Sequence, residues 1–214
     1  MRRLVPFLAL PLLLGATVAA AEEALQVESE VGGLDGVAVE AVLGARRGAV
    51  EACYAAGTVR LWYLGGRLEV KAQVAPSGRL ERAWPVEALG NQEVERCVIE
   101  VLRGATWPTP QGGRRGEFTG TWSFRGRGEL RTWSEDEVGA RCRQGRKELT
   151  SCGKRLPAGL RLTFFVGPGG KATSVGVAAD APLDDQIARC VAARVATWTF
   201  NDPLGQMARA TCRP

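Results

Sequence analysis

Three features of this chain have residue types and spacing that bear on chemistry: six cysteines, a Ser-x-x-Lys tetrad and a cluster of arginines. Ser151-Cys152-Gly153-Lys154 has the spacing in which a lysine activates a serine nucleophile. Neither Ser-Asp-Asn nor Lys-Thr-Gly follows it, and Cys152 belongs to a repeated pattern, so Ser151 is given no catalytic role. The chain has no histidine, which removes Ser-His-Asp and Cys-His nucleophiles, His-bearing zinc sites and His general bases together. Glu135-Asp136-Glu137 has the charge to attract a cation, but acidic residues in a first helical turn complement the helix dipole, and Ser134 with Glu137 makes a capping box. Gly167-Pro168-Gly169-Gly170 lacks the following helix and Lys-Ser/Thr that a phosphate loop needs, and reads as a hairpin turn. No catalytic residue, cofactor site or metal site is expected.

The cysteines, Cys53, Cys97, Cys142, Cys152, Cys190 and Cys212, form an even set with no Cys-x-x-Cys pair. That spacing argues against a thiol-exchange centre or a zinc cluster and for three structural disulfides. Sequence alone leaves 15 connectivities open. Repetition points to pairing of Cys53 with Cys97 and of Cys152 with Cys190, which leaves Cys142 and Cys212 for a third bridge. Each bridge adds roughly 2–4 kcal/mol, largely by restricting the unfolded chain.

An oxidising compartment is the setting in which such bridges form. Arg2 and Arg3 precede an apolar run over residues 4–14, followed by small residues to position 21, the pattern of a secretory signal over residues 1–20. The alternative, a retained anchor, fits less well because the run is short for a spanning helix. A periplasmic or secreted protein with no stable membrane span after cleavage is expected. Without Arg2 and Arg3 the formal charge falls from +5 to +3, too small an excess to point to nucleic acid.

What positions these residues is an internal repeat. Val39, Leu43, Arg47, Val50 and Cys53 correspond to Val138, Cys142, Arg146, Leu149 and Cys152 at a constant offset of 99. Steps of four, four, three and three put each set on one face of a helix. A hairpin follows in each copy: Leu68, Val70, Ala72 and Val74 alternate with polar residues before Pro76-Ser77-Gly78, and Leu160, Leu162, Phe164 and Val166 alternate before Pro168-Gly169-Gly170. A second helix carries Val94, Cys97, Val98 and Val101 in one copy and Ile187, Cys190, Val191 and Val195 in the other, ending at Ala-Thr-Trp in both. A closing strand, residues 117–124 and 207–212, completes each copy. The fold class is therefore α+β: helix, strand, strand, helix, strand, twice, each copy with two helices on one face of a three-stranded, mostly antiparallel sheet. The other face is open in this reading. The organisation is a signal over residues 1–20, a polar lead over 21–34, a first module over 35–124, an Arg/Gly-rich linker over 125–132 and a second module over 133–214.

Cys53-Tyr54 ending an apolar helix, the Pro-Ser-Gly turn, Glu95-Arg96-Cys97-Val98, Trp107-Pro108-Thr109-Pro110 and Gly112-Gly113 resemble the C-terminal domain shared by AgmX/PglI-type and TonB-family envelope proteins. The second copy keeps Cys152, the Pro-Gly-Gly turn and Arg189-Cys190-Val191 but has Thr199-Phe200 where the first has Pro108-Thr109. The resemblance implies a TonB-like fold and a part in envelope protein contacts, motility or secretion machinery. TonB-type energy transducers carry a long proline-rich spacer, and the lead over residues 22–33 has no proline, which argues against energy transduction.

The functional expectation is a non-enzymatic adaptor whose sheet edges accept an extended segment of an envelope protein by strand addition. Two modules would bind one partner twice or two partners at once. The alternative is a binder of anionic envelope glycan or lipid through Arg125, Arg127 and Arg131 of the linker, near Arg114 and Arg115. Trp84, Trp107, Trp122 and Trp198 are read as core rather than as ligand platforms.

Overall fold

The computed structural model describes residues 33–214 together with the backbone of a two-residue strand at Val27–Glu28. The expected signal segment, and most of the lead, lie outside the described residues. Among the described residues the architecture is α+β, with four α-helices and two sheets.

The first sheet is built from β2 (Gly66–Val74), β3 (Leu80–Glu87) and β4 (Gly116–Phe124), all antiparallel, with β1 (Val27–Glu28) at its outer side; the order is β1-β4-β2-β3. Along β2 every second residue from Leu68 is buried, so the alternation fixes one face toward the core. Helices α1 (Gly36–Thr58) and α2 (Gln92–Arg103) cover that face. Asp35 and Asn91 start them by accepting hydrogen bonds from Ala38 N (3.2 Å) and Val94 N (2.9 Å). Trp107 and Phe118 close the base of this core with ring centroids 4.2 Å apart.

The second half repeats the element order. Strand β5 (Arg131–Trp133) and helix α3 (Glu135–Leu149) precede the hairpin of β6 (Arg161–Val166) and β7 (Ala172–Ala178), then come α4 (Asp185–Val195) and β8 (Ala208–Cys212), in a sheet ordered β5-β8-β6-β7. Glu137 accepts a hydrogen bond from Ser134 N (2.8 Å) at the start of α3. Its first turn carries Glu135 and Asp136 as well.

Three points differ from the sequence reading. Each sheet has a fourth short strand on its outer edge: β1 runs antiparallel to β4 and β5 parallel to β8. Cys152 is not on the long helix, which ends at Leu149, but in the 3₁₀ turn Thr150–Cys152 that follows it. The outer face of the second sheet is not open. Phe165, on β6, points away from α3 and α4 and is buried in the first half's core, with its ring centroid 5.1 Å from that of Tyr63. Gly90 has φ 103°, and a Cβ there would lie 2.7 Å from Phe165 Cε2, so the close approach of the halves requires glycine.

The segment read as a linker is fastened on both sides. Tyr54 Oη donates to the Arg125 carbonyl (2.9 Å), Arg127 N to the Trp62 carbonyl (2.8 Å) and Arg131 N to the Met207 carbonyl (3.0 Å). Residues 131–132 of that segment belong to β5.

Candidate functional site

For a chain whose expected activity is strand addition, the relevant atoms are the outward-facing N–H and C=O groups of the edge strands. On the inner side, the edges β3 and β7 close on each other. Ala179 N donates to the Pro85 carbonyl (3.0 Å), and Arg161 Nη2 to the Val86 carbonyl (2.6 Å). Pro85 has no N–H to offer, so β3 is a poor template at that position.

The outward N–H of Val177 is taken by a side chain, Glu95 of α2, whose Oε2 accepts it at 3.3 Å. Glu95 Oε1 accepts from Gly90 N (2.9 Å) and Asn91 N (3.2 Å). The carboxyl is fully buried. Burial pushes it from 4.5 up to about 7, against the opposing pull of the backbone N–H groups of Gly90, Asn91 and Val177. Room for it exists only because position 176 is glycine: a Cβ there would collide with Oε1. Around this carboxyl Ser174 Oγ donates to the Gly90 carbonyl (2.6 Å), Asn91 Nδ2 to Ser174 Oγ (2.9 Å), and Tyr63 Oη and Thr173 Oγ1 lie 2.8 Å apart. Glu95 is the seam residue to which the sequence reading gave no role. The available signal was its spacing of three and seven residues from Val98 and Leu102, which places a carboxylate on the buried stripe of α2.

On the outer side the edges differ. All three residues of β5 pair with Ala208, Arg209 and Ala210, which occupies the second sheet's edge. Strand β4 is nine residues long, and among the described residues only Val27 and Glu28 pair with its outer side, opposite Gly120 and Thr119. Positions 121–124 have no strand partner there among the described residues.

The cysteines are joined as Cys53–Cys97, tying α1 to α2, as Cys152–Cys190, tying the 3₁₀ turn to α4, and as Cys142–Cys212, tying α3 to β8. The last pair is fully in the core; Cys97 is exposed. Ser151 Oγ donates to the Glu148 carbonyl (2.7 Å), the geometry of a turn residue. Arg125 and Arg127 are exposed, while Arg131 pairs with Glu137 at 3.2 Å. Trp84, Trp107, Trp122 and Trp198 are all buried. Among the described residues no group of His, Cys, Asp and Glu side chains has the arrangement of a metal site, and no helix is long and apolar enough to cross a membrane. Comparison with protein-family models, curated proteins and solved structures finds no match.

Proposed function

We propose that the protein is an exported, non-enzymatic adaptor of the cell envelope that takes an extended segment of a partner as an added strand along the outer edge of β4. The observation that carries this reading is β1. The chain lays its own residues Val27 and Glu28 antiparallel on that edge, so the backbone geometry there supports strand pairing, whereas the inner edges are occupied by the seam and β5 covers three of the five residues of β8. Main-chain hydrogen bonds supply affinity in such a mode, and alternate side chains supply selectivity. Three disulfides fit export to an oxidising compartment, and the sequence resemblance to TonB-type and AgmX/PglI-type domains points to envelope partners in motility or secretion. With the inner edges closed, the tandem arrangement offers one long edge rather than two, so a single partner strand per chain is the expected stoichiometry.

Hydrogen exchange on the oxidised protein, alone and with partners captured from an envelope extract, tests this. Bound partner is expected to protect the outward-facing amides among residues 121–124, the alternate ones that do not bond to β2. Capture of nothing, or of a partner that leaves exchange in β4 unchanged, overturns it. The second reading, an anionic glycan or lipid bound by the linker arginines, is left with Arg125 and Arg127, because Arg131 is already paired.

A further inference from the structure

A cleft of about 410 Å³ opens where the outer face of the second sheet meets the end of β3, with Glu69 and Glu87 on one wall and Arg161, Arg209 and Arg213 on the other. The two acids are already engaged: Arg67 binds Glu69 at 2.8 Å and Glu87 at 3.4 Å. Arg161 is engaged too, with Nη1 on Asp180 and Nη2 on the Val86 carbonyl, both at 2.6 Å. Arg209 is different. It projects from β8 into the seam against the backbone of Gly66, its Nε is buried without an acceptor, and among the described residues its guanidinium makes neither a hydrogen bond nor a salt bridge. Arg213, four residues on and just past the end of β8, is exposed and likewise without a partner among the described residues. Thr163 and Thr211, with hydroxyls 3.1 Å apart, line the floor between them.

A buried guanidinium N–H with no acceptor is costly, because that donor, Nε of Arg209, has lost water and gained nothing. Burial lowers the Arg209 pKa, and the charges of Glu87, on the opposite wall, and Glu95 offset only part of that. The Nη donors of Arg209, a second unpaired guanidinium and the mutually bonded Thr163 and Thr211 hydroxyls in one cleft are a donor set that recognises a compact oxyanion, bound bidentately.

We propose that this cleft is an oxyanion-binding site, taking a phosphate or carboxylate group between Arg209 and Arg213. The site is separate from the β4 edge and from the linker arginines, and it stands or falls independently of the adaptor reading.

The test is titration of the full-length, oxidised protein with sodium phosphate and, separately, with sodium acetate, each against sodium chloride of matched ionic strength. The arginine Nε–H resonances are followed by NMR. Saturable movement of the Arg209 signal with phosphate, acetate or both, absent with chloride, is the expected result, and the arm that saturates identifies the group. Arg213→Gln, at an exposed position where folding is not at stake, is expected to weaken binding roughly tenfold or more, the scale of one lost charge-assisted hydrogen bond. Arg209→Lys is expected to abolish bidentate binding, and Arg125→Gln to leave it unchanged. No saturable response to either anion, an equal response to chloride, or an affinity that Arg213→Gln leaves intact overturns the proposal.

Discussion

Replacing Glu95 with glutamine should change how stability depends on pH, and the sign follows from burial. The native carboxyl titrates near 7, whereas in the unfolded chain it titrates near 4.5. Between those values the folded state binds more protons than the unfolded state, so unfolding free energy falls as pH rises from about 4.5 to about 7 and is flat above. At about 1.4 kcal/mol per pH unit, the move from 4.5 to about 7 is worth about 3 kcal/mol, an order-of-magnitude figure for a fully buried group. The window is clean because the chain has no histidine. Glu148, held low chiefly by its hydrogen bond from Arg141, and Asp202, held low by the backbone N–H groups of Gly169 and Gly205, contribute stability present above their ordinary values and lost only as pH falls below them. Glu117, where Lys71 and Gln73 outweigh burial, behaves the same way. In Glu95→Gln the amide oxygen can still accept from Gly90 N and Asn91 N, but the amide nitrogen faces the Val177 N–H, donor against donor. The variant therefore mimics the protonated acid. Urea unfolding of oxidised protein from pH 5 to pH 8 should show wild-type stability declining across the window and the variant flat, the two converging near pH 5. A wild-type curve that is level or rises over this range, or a variant that keeps the wild-type slope, refutes the assignment of that proton to Glu95.

Two further outcomes test how the halves are joined and how the second core is packed. Phe165→Ala, in a strand of the second half, should cost about 3–5 kcal/mol by opening the first half's core, and calorimetry should still show one transition with equal calorimetric and van't Hoff enthalpies; two separated transitions would mean that the halves fold independently. Gly145→Ala, which helix propensity alone would make stabilising by about 1 kcal/mol, should instead destabilise the protein, because a Cβ on α3 would run into the Trp198 ring that packs against that position; an increase in urea midpoint would contradict this packing.

How much of this was legible depends on which physical signal each residue leaves in the sequence. Alternation along β2 and the helical steps at Val39, Leu43 and Val50 follow from one face being buried, and those residues are buried; Arg47, the step between Leu43 and Val50, is exposed. Leu43 and Cys142, which the offset aligned, are both buried, each on a long helix. Docking of the halves leaves a fainter trace. In β6 the run Leu162 to Val166 does not alternate: Phe165 breaks it, and all five residues are buried. An apolar run without alternation, here Phe164-Phe165-Val166, is the mark of a strand covered on both faces, so Phe165 was the residue that announced a second layer. Glu95 left its trace as a charge on an apolar stripe. What no periodicity encodes is where two surfaces meet, because that depends on main-chain groups of residues far apart in sequence, such as Pro85 with Ala179 and Glu95 with Val177.

That meeting decides which edges remain for function. If each half presented its own sheet, β3 and β7 would both be free, and strand addition there would be as plausible as at β4. Glu95 makes the difference: a buried carboxylate costs stability unless its neighbours donate to it, and here it satisfies the edge amide of β7 while Gly90 and Gly176 clear the space for it. The second sheet thus gives up its inner edge to a side chain of the first, and the one long edge left with partnerless positions among the described residues is β4, where the chain's own Val27 and Glu28 already pair.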